Sequence, residues 1–160
     1  MIEEQGLAEQ ALLNYYERKQ CSGQWSGLVG IFIDELLRSA GERDAHAFLR
    51  HIGARLAQSY DLGQPDTLES LEAAMNGHWD QLDWGFVKLG ERDGRMVLRH
   101  SAYPLPVSMI DAERARAGMA AVLEGVYATW LGKQSGDASI PLRCTGFPQK
   151  RVVEFHYGRH

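Results

Sequence analysis

Cysteine is scarce in this chain. Cys21 and Cys144 are the only two, too few for a disulfide framework and without the second pair that a zinc site built on thiolates needs. Both read as ordinary thiols. Basic residues do not cluster: the formal net charge is −4, and no cationic run offers the footprint that a phosphate backbone demands, so nucleic acid is not an expected partner. Long apolar runs are missing too. The best, residues 28–33, stops at Asp34 and Glu35, far short of the ~20 residues of a bilayer span. The opening residues carry neither a positive n-region nor a continuous apolar h-region. No direct membrane insertion and a cytoplasmic location are therefore expected.

Reactive constellations are equally thin. The six histidines are His46, His51, His78, His100, His156 and His160. Only His156 and His160 are four apart, at the end of an expected strand and not on a helix, and there is no H-E-x-x-H. G-x-S-x-G, a P-loop and a G-x-G-x-x-G run are absent. No metal, no cofactor and no enzymatic activity are expected. Asp80 and Asp83 flank a turn beside Trp79 and Trp84. Two carboxylates near indoles suit glycosidic-bond hydrolysis. Residues three apart at a helix end more often cap and solvate a turn, and that reading prevails.

The 160 residues suit one domain with one core. Residues 3–20 favour helix, with Ala8, Leu12, Tyr15 and Tyr16 on one side. A break at Cys21-Ser22-Gly23 divides an N-terminal helical arm (1–20) from a single domain (24–160). The next helix carries Trp25, Leu28, Val29, Phe32, Ile33, Leu36 and Leu37 at the spacing of a buried stripe. That register assigns Trp25 to the core. Gly41 is the expected left-handed cap, and Asp44 starts a further helix with Phe48, Leu49, Ile52, Leu56 and Tyr60. Gly53 lets another element approach closely.

Asp66 and Glu69 resemble a capping box for a helix bearing Leu68, Leu71, Met75 and Trp79. Residues 84–89 and 96–99 read as strands joined through Asp93-Gly94. A helix over 111–131 follows, with Met119, Val122, Leu123, Val126, Tyr127, Trp130 and Leu131 as its stripe and Gly132 as its end. Ile140, Leu142 and Cys144 alternate, as do Val153, Phe155 and Tyr157, around a turn at residues 146–149. The order predicts α+β: helices packed on an antiparallel four-stranded sheet made of two hairpins.

Three segments carry a resemblance. They are Trp84-Gly85-Phe86-Val87-Lys88-Leu89, residues 121–130 with Gly125 beside the apolar face, and residues 48–56 around Gly53. In order and spacing they resemble the D subunit of bacterial cellulose synthase, the family of cellulose synthase operon protein D, over residues 28–130. The layout also loosely resembles vinyl-reductase-type small-molecule-binding domains and small TRAPP subunits, which the piece Cys144-Thr145-Gly146-Phe147-Pro148 fits. The cellulose synthase resemblance implies a non-catalytic accessory protein of cellulose synthesis and export. It implies a homo-oligomer, an octamer built from dimers, that orders cellulose synthase complex proteins or guides nascent β-1,4-glucan chains. Residues 1–20 stand out as an added helix. By position, Gln24 and Trp25 are the candidates for glucan contact, and Tyr15 and Tyr16 those for an oligomer interface. The resemblance also brings a periplasmic alternative for location. A sensor of the vinyl-reductase type is the alternative function, and it requires an enclosed apolar pocket between sheet and helices.

Overall fold

The computed structural model describes residues 2–107 and 110–159. His160 and the side chain of Ala8, both named above, lie outside what is described. The elements are α1 (Ile2–Gln20), α2 (Gly23–Gln58), α3 (Leu68–Leu82), β1 (Phe86–Arg92), β2 (Arg95–Ser101), α4 (Ala112–Ser135), β3 (Leu142–Gln149) and β4 (Val152–Tyr157). The architecture is α+β, and the four strands form one antiparallel sheet in the order β1-β2-β4-β3. Among the described residues no helix is long and apolar enough to cross a membrane.

The first hairpin closes through Asp93 and Gly94, both at positive φ (53° and 72°), the twist that two-residue turns use to match flanking strands. The second hairpin differs from expectation. Residues 146–149 belong to β3, and the turn sits at Lys150 and Arg151. Pro148 lacks an N–H, and β3 tolerates it because it is an edge strand whose register shifts between Cys144, Gly146 and Gln149.

Caps also move. α3 is capped by Thr67 and Ser70, each side chain accepting from the other's backbone N–H at 3.0 Å. Asp66 stands one residue before the cap. Asp111 caps α4 by accepting from the Arg114 N–H at 3.0 Å. Gly132 does not end α4: the helix runs one more turn to a left-handed cap at Gly136. At Gly41 the helix does break, but with φ 78° and ψ 163°, which is not the left-handed cap geometry. Helix resumes at once, so the two expected helices form one bent rod and Asp44 lies inside its second limb.

That second limb crosses α4 at backbone contact. A Cβ on Gly53 would lie 1.9 Å from the Val122 carbonyl oxygen, and one on Gly125 would lie 1.9 Å from that of Arg50. Glu124, buried beside this crossing, is tied to α2 by His46 Nε2 at 3.1 Å and Arg50 Nη1 at 3.4 Å.

One face of the sheet presents Val87, Leu98, His100, Val153 and Phe155 to α3 and α4. Trp79, Tyr127 and Trp130 fill the space between. This packed layer stands where the sensor alternative needs an enclosed apolar pocket. His100 is wholly buried within it. Its Nε2 lies 2.6 Å from the Trp84 carbonyl, which only accepts, so Nε2 carries the proton. Nδ1 then accepts from the Tyr127 hydroxyl at 2.5 Å. Burial lowers the His100 pKa from 6.5 to about 4, against the raising effect of the Trp84 carbonyl.

Two outcomes are expected. Gly53→Val or Gly125→Val forces the helices apart, and urea denaturation should show a loss of more than about 3 kcal/mol. Above pH 6.5 the His100 ring is neutral in both states. Between 6.5 and about 4 only the unfolded ring takes a proton, so stability falls with pH across that window by up to about 3 kcal/mol. Urea midpoints measured from pH 7 to 4 should therefore fall more steeply in the parent than in His100→Phe.

Candidate functional site

The first limb of α2 has two faces. Ser26, Gly30 and Ile33 form a narrow buried seam. A Cβ on Gly30 would stand 2.8 Å from the Pro106 carbonyl oxygen, and Ile33 packs against Gly118 of α4. Small residues thus bring the helix down onto the body. Trp25, Leu28, Val29 and Phe32 point away from that seam, by about 70° for Val29 and about 170° for Leu28 around the axis, and all four are exposed. Trp25 is 56% exposed, which corrects its assignment to the core. The stripe is present at helical spacing, but most of it faces outward; of its members only Ile33 is fully buried, with Leu36 and Leu37 partly so.

α1 continues this surface. Residues 9–16 are exposed throughout, including Leu12, Leu13, Tyr15 and Tyr16. The Tyr15 and Tyr16 rings meet edge to face at 5.7 Å, and Lys19 Nζ stands 5.8 Å from the Tyr15 ring centre. Among the described residues, the contacts that fasten α1 to the body come from its last turn. Gln20 Nε2 donates to the Asp83 carbonyl at 3.0 Å and to that of Ala102. Arg151 Nη2 donates to Gln20 Oε1 at 2.9 Å and to the Tyr103 carbonyl at 2.7 Å, while its Nε faces Glu17 at 3.6 Å. Nothing in the sequence pointed to Gln20 and Arg151. They are 131 positions apart, and neither sits in a motif.

The structure therefore brings Tyr15 and Tyr16 together. Gln24 and Trp25 stand in the first turn of α2. Both are exposed, and consecutive helical residues point about 100° apart. Ser22 caps α2 there, accepting from the Gln24 N–H at 3.3 Å. A cleft of about 370 Å³ opens at the α1–α2 elbow, lined by Glu17, Arg18, Cys21, Ser26, Leu105 and Arg151 among others.

Asp80 and Asp83 are exposed at the end of α3. Asp83 adopts the left-handed conformation of a C-cap, its N–H donating to the Asp80 carbonyl at 3.2 Å. Trp79 is buried and stacks on Trp84 at 5.8 Å and 4°. The pair is a capped turn over a core stack. A larger cleft of about 760 Å³ lies between α2 and the start of α4, with Arg43, His46, Asp111 and Arg114 on its walls. Beside it, the Arg114 and Arg38 guanidiniums hold Asp34 below the usual carboxylate range. A carboxylate kept ionised this way suits an ion pair and not proton transfer near neutral pH. Burial pushes the Cys144 thiol up, away from nucleophilic character. Among the described residues no three His, Cys, Asp or Glu side chains are grouped to hold a metal ion.

Residues 11–158 match the family of the cellulose synthase D subunit; the match begins inside α1. The chain is 28% identical over 102 residues to a protein named Cellulose synthase operon protein D from Komagataeibacter xylinus, and likewise to one of the same name from Komagataeibacter sucrofermentans. Each alignment covers 64% of this chain and 65% of the relative.

If the outward stripe does not hold the single chain together, Trp25→Ser and Phe32→Ser should shift its unfolding free energy by no more than about 0.5 kcal/mol. Ile33→Ala, from the buried seam, should cost about 2–4 kcal/mol. Urea denaturation of the dilute chain checks both.

Proposed function

We propose a function from one premise: the chain belongs to the family of the cellulose synthase D subunit. Its role is that of a non-catalytic accessory subunit of bacterial cellulose synthesis and export. It assembles with copies of itself, as a dimer-based octamer, and the assembly orders cellulose synthase complexes or guides nascent β-1,4-glucan chains towards crystalline cellulose. The cytoplasm is the proposed location. The observation that carries this reading is the run of exposed aromatic and aliphatic side chains along α1 and the first limb of α2, far more apolar surface than scattered exposed residues give.

Within that assembly residues 1–20 serve as an arm and residues 24–160 as the body. Tyr15 and Tyr16 face a neighbouring copy, since aromatic residues are enriched at interface centres. Trp25 offers an indole face on which a pyranose ring stacks, and Gln24 offers an amide for hydroxyl groups. A polymer that slides needs contacts of this shallow kind, because escape slows tenfold for each ~1.4 kcal/mol of added affinity. The capped turn at Asp83 and the ionised Asp34 support a role without bond making or breaking.

Light scattering at micromolar concentration should give a multimeric mass, and a strictly monomeric one defeats the reading. In cells, Trp25→Ala should lower the yield of crystalline cellulose without changing that mass. Fibre yield and morphology unaffected by loss of the whole chain would defeat the proposal outright.

A further inference from the structure

The chain leaves two apolar helix faces uncovered, and they do not cover each other. Among the described residues, α1 packs on no other element beyond its last turn. Residues 9–16 of α1 and Trp25, Leu28, Val29 and Phe32 of α2 are all exposed in the same chain, so neither face lies on the other. A 19-residue helix containing a glycine is marginal by itself in water, so α1 needs a surface to lie on. The α2 stripe, for its part, has its seam neighbours buried and its large side chains outside.

We infer that the two faces are partners across a two-fold axis: α1 of one copy lies on the first limb of α2 of a second copy, and the reverse. One reciprocal contact then covers both faces. Pairing α1 with α1, or α2 with α2, leaves the other face in water, and an isologous dimer has no need to do so. The area is sufficient. Leu12, Leu13, Tyr15, Tyr16, Leu28 and Phe32 are 49–61% exposed. They contribute on the order of 100 Å² each, and with their flanking atoms approach the about 800 Å² per partner of a stable interface. Trp25, one turn nearer the elbow, stays at the rim of this contact. The inference rests on the homo-oligomer proposed above and names the surfaces that make its basic pair.

The test uses the full chain with Cys21→Ser and Cys144→Ser. Two differently tagged forms are co-expressed, one carrying Leu12→Cys or Tyr16→Cys, the other Leu28→Cys or Phe32→Cys, and are mildly oxidised. At least one of the four pairings should give a disulfide-linked species with both tags, while Phe86→Cys, exposed on β1, should give none with either arm position. Leu12→Asp should weaken association at least tenfold by light scattering, while the near-UV circular dichroism of the buried Trp79 and Trp130 stays unchanged. A multimer that forms no arm-to-α2 link, or keeps its mass in Leu12→Asp, overturns the exchange and leaves the proposed function standing. A monomeric parent chain overturns both. A monomer that co-floats with phosphatidylcholine–phosphatidylglycerol vesicles assigns the faces to lipid and overturns the exchange as well.

Discussion

The crossing of α2 and α4 is made by two glycines, one on each helix, each with its α-carbon pressed against the other helix's carbonyl chain. A methyl group at Gly53 or Gly125 would fall 1.9 Å from an oxygen, well inside any contact an atom tolerates. The helices therefore meet backbone to backbone, and the rest of the molecule is arranged around that distance. The crossing puts Glu124 within reach of His46 and Arg50, so the buried carboxylate has partners and is not left as an uncompensated charge. It also fixes where the first limb of α2 emerges. With the second limb clamped and the bend set at Gly41, the first limb comes down on residue 106 through Gly30. The seam that touches the body is then Ser26, Gly30 and Ile33, and the bulky side chains next to it have nowhere to go but outward.

A second constraint works from inside the sheet layer. His100 joins a backbone carbonyl at Trp84 to the hydroxyl of Tyr127 on α4, which ties the approach to β1, the end of β2 and the helix above them. Register in β strands is set by which face is buried, and an apolar residue at 100 would satisfy that demand alone. The imidazole adds direction: both ring nitrogens must be matched, and only one placement of α4 over the sheet matches them. Gly85, at φ 78° and with the Ser101 carbonyl where a Cβ would sit, brings the Trp84 carbonyl into that position. The Trp-Gly step entering β1 is thus part of the same construction as the buried histidine.

Much of this was readable in advance, for reasons that differ from element to element. Asp93-Gly94 announced a hairpin because few residues accept positive φ twice in succession. Gly53 announced a close approach because a glycine amid helix-forming residues has a cost that packing must offset. Trp25 was misread. Helical spacing tells which residues share a face, and says nothing of what covers that face; the same pattern serves a core and an interface. The caps moved by a residue at Thr67, where a serine hydroxyl that both donates and accepts did the work assigned to an acidic pair. Gly132 was read as a stop, yet it stays helical, with Ala138 approaching the space a side chain would take. The link between Gln20 and Arg151 was out of reach of any local reading, since it exists only once the fold has brought these two distant stretches together.

That link shapes how the proposed surfaces work. A helix anchored at one turn keeps a definite direction from the body while its length stays open to a partner. Gln20 uses both ends of its amide, donating to carbonyls at Asp83 and Ala102 and accepting from Arg151. Asp83 and Ala102 both hold positive φ, a costly conformation for residues with a Cβ. The strain and the hydrogen bonds belong to one place, the root of the arm, and not to the face the arm presents. A chain that needed α1 for its own core would have buried Leu12 and Tyr16; this one holds α1 by its root and leaves those side chains outside. Surface left apolar on a helix too marginal to stand alone is stable only when something lies against it, and that requirement is the physical ground of the association proposed above.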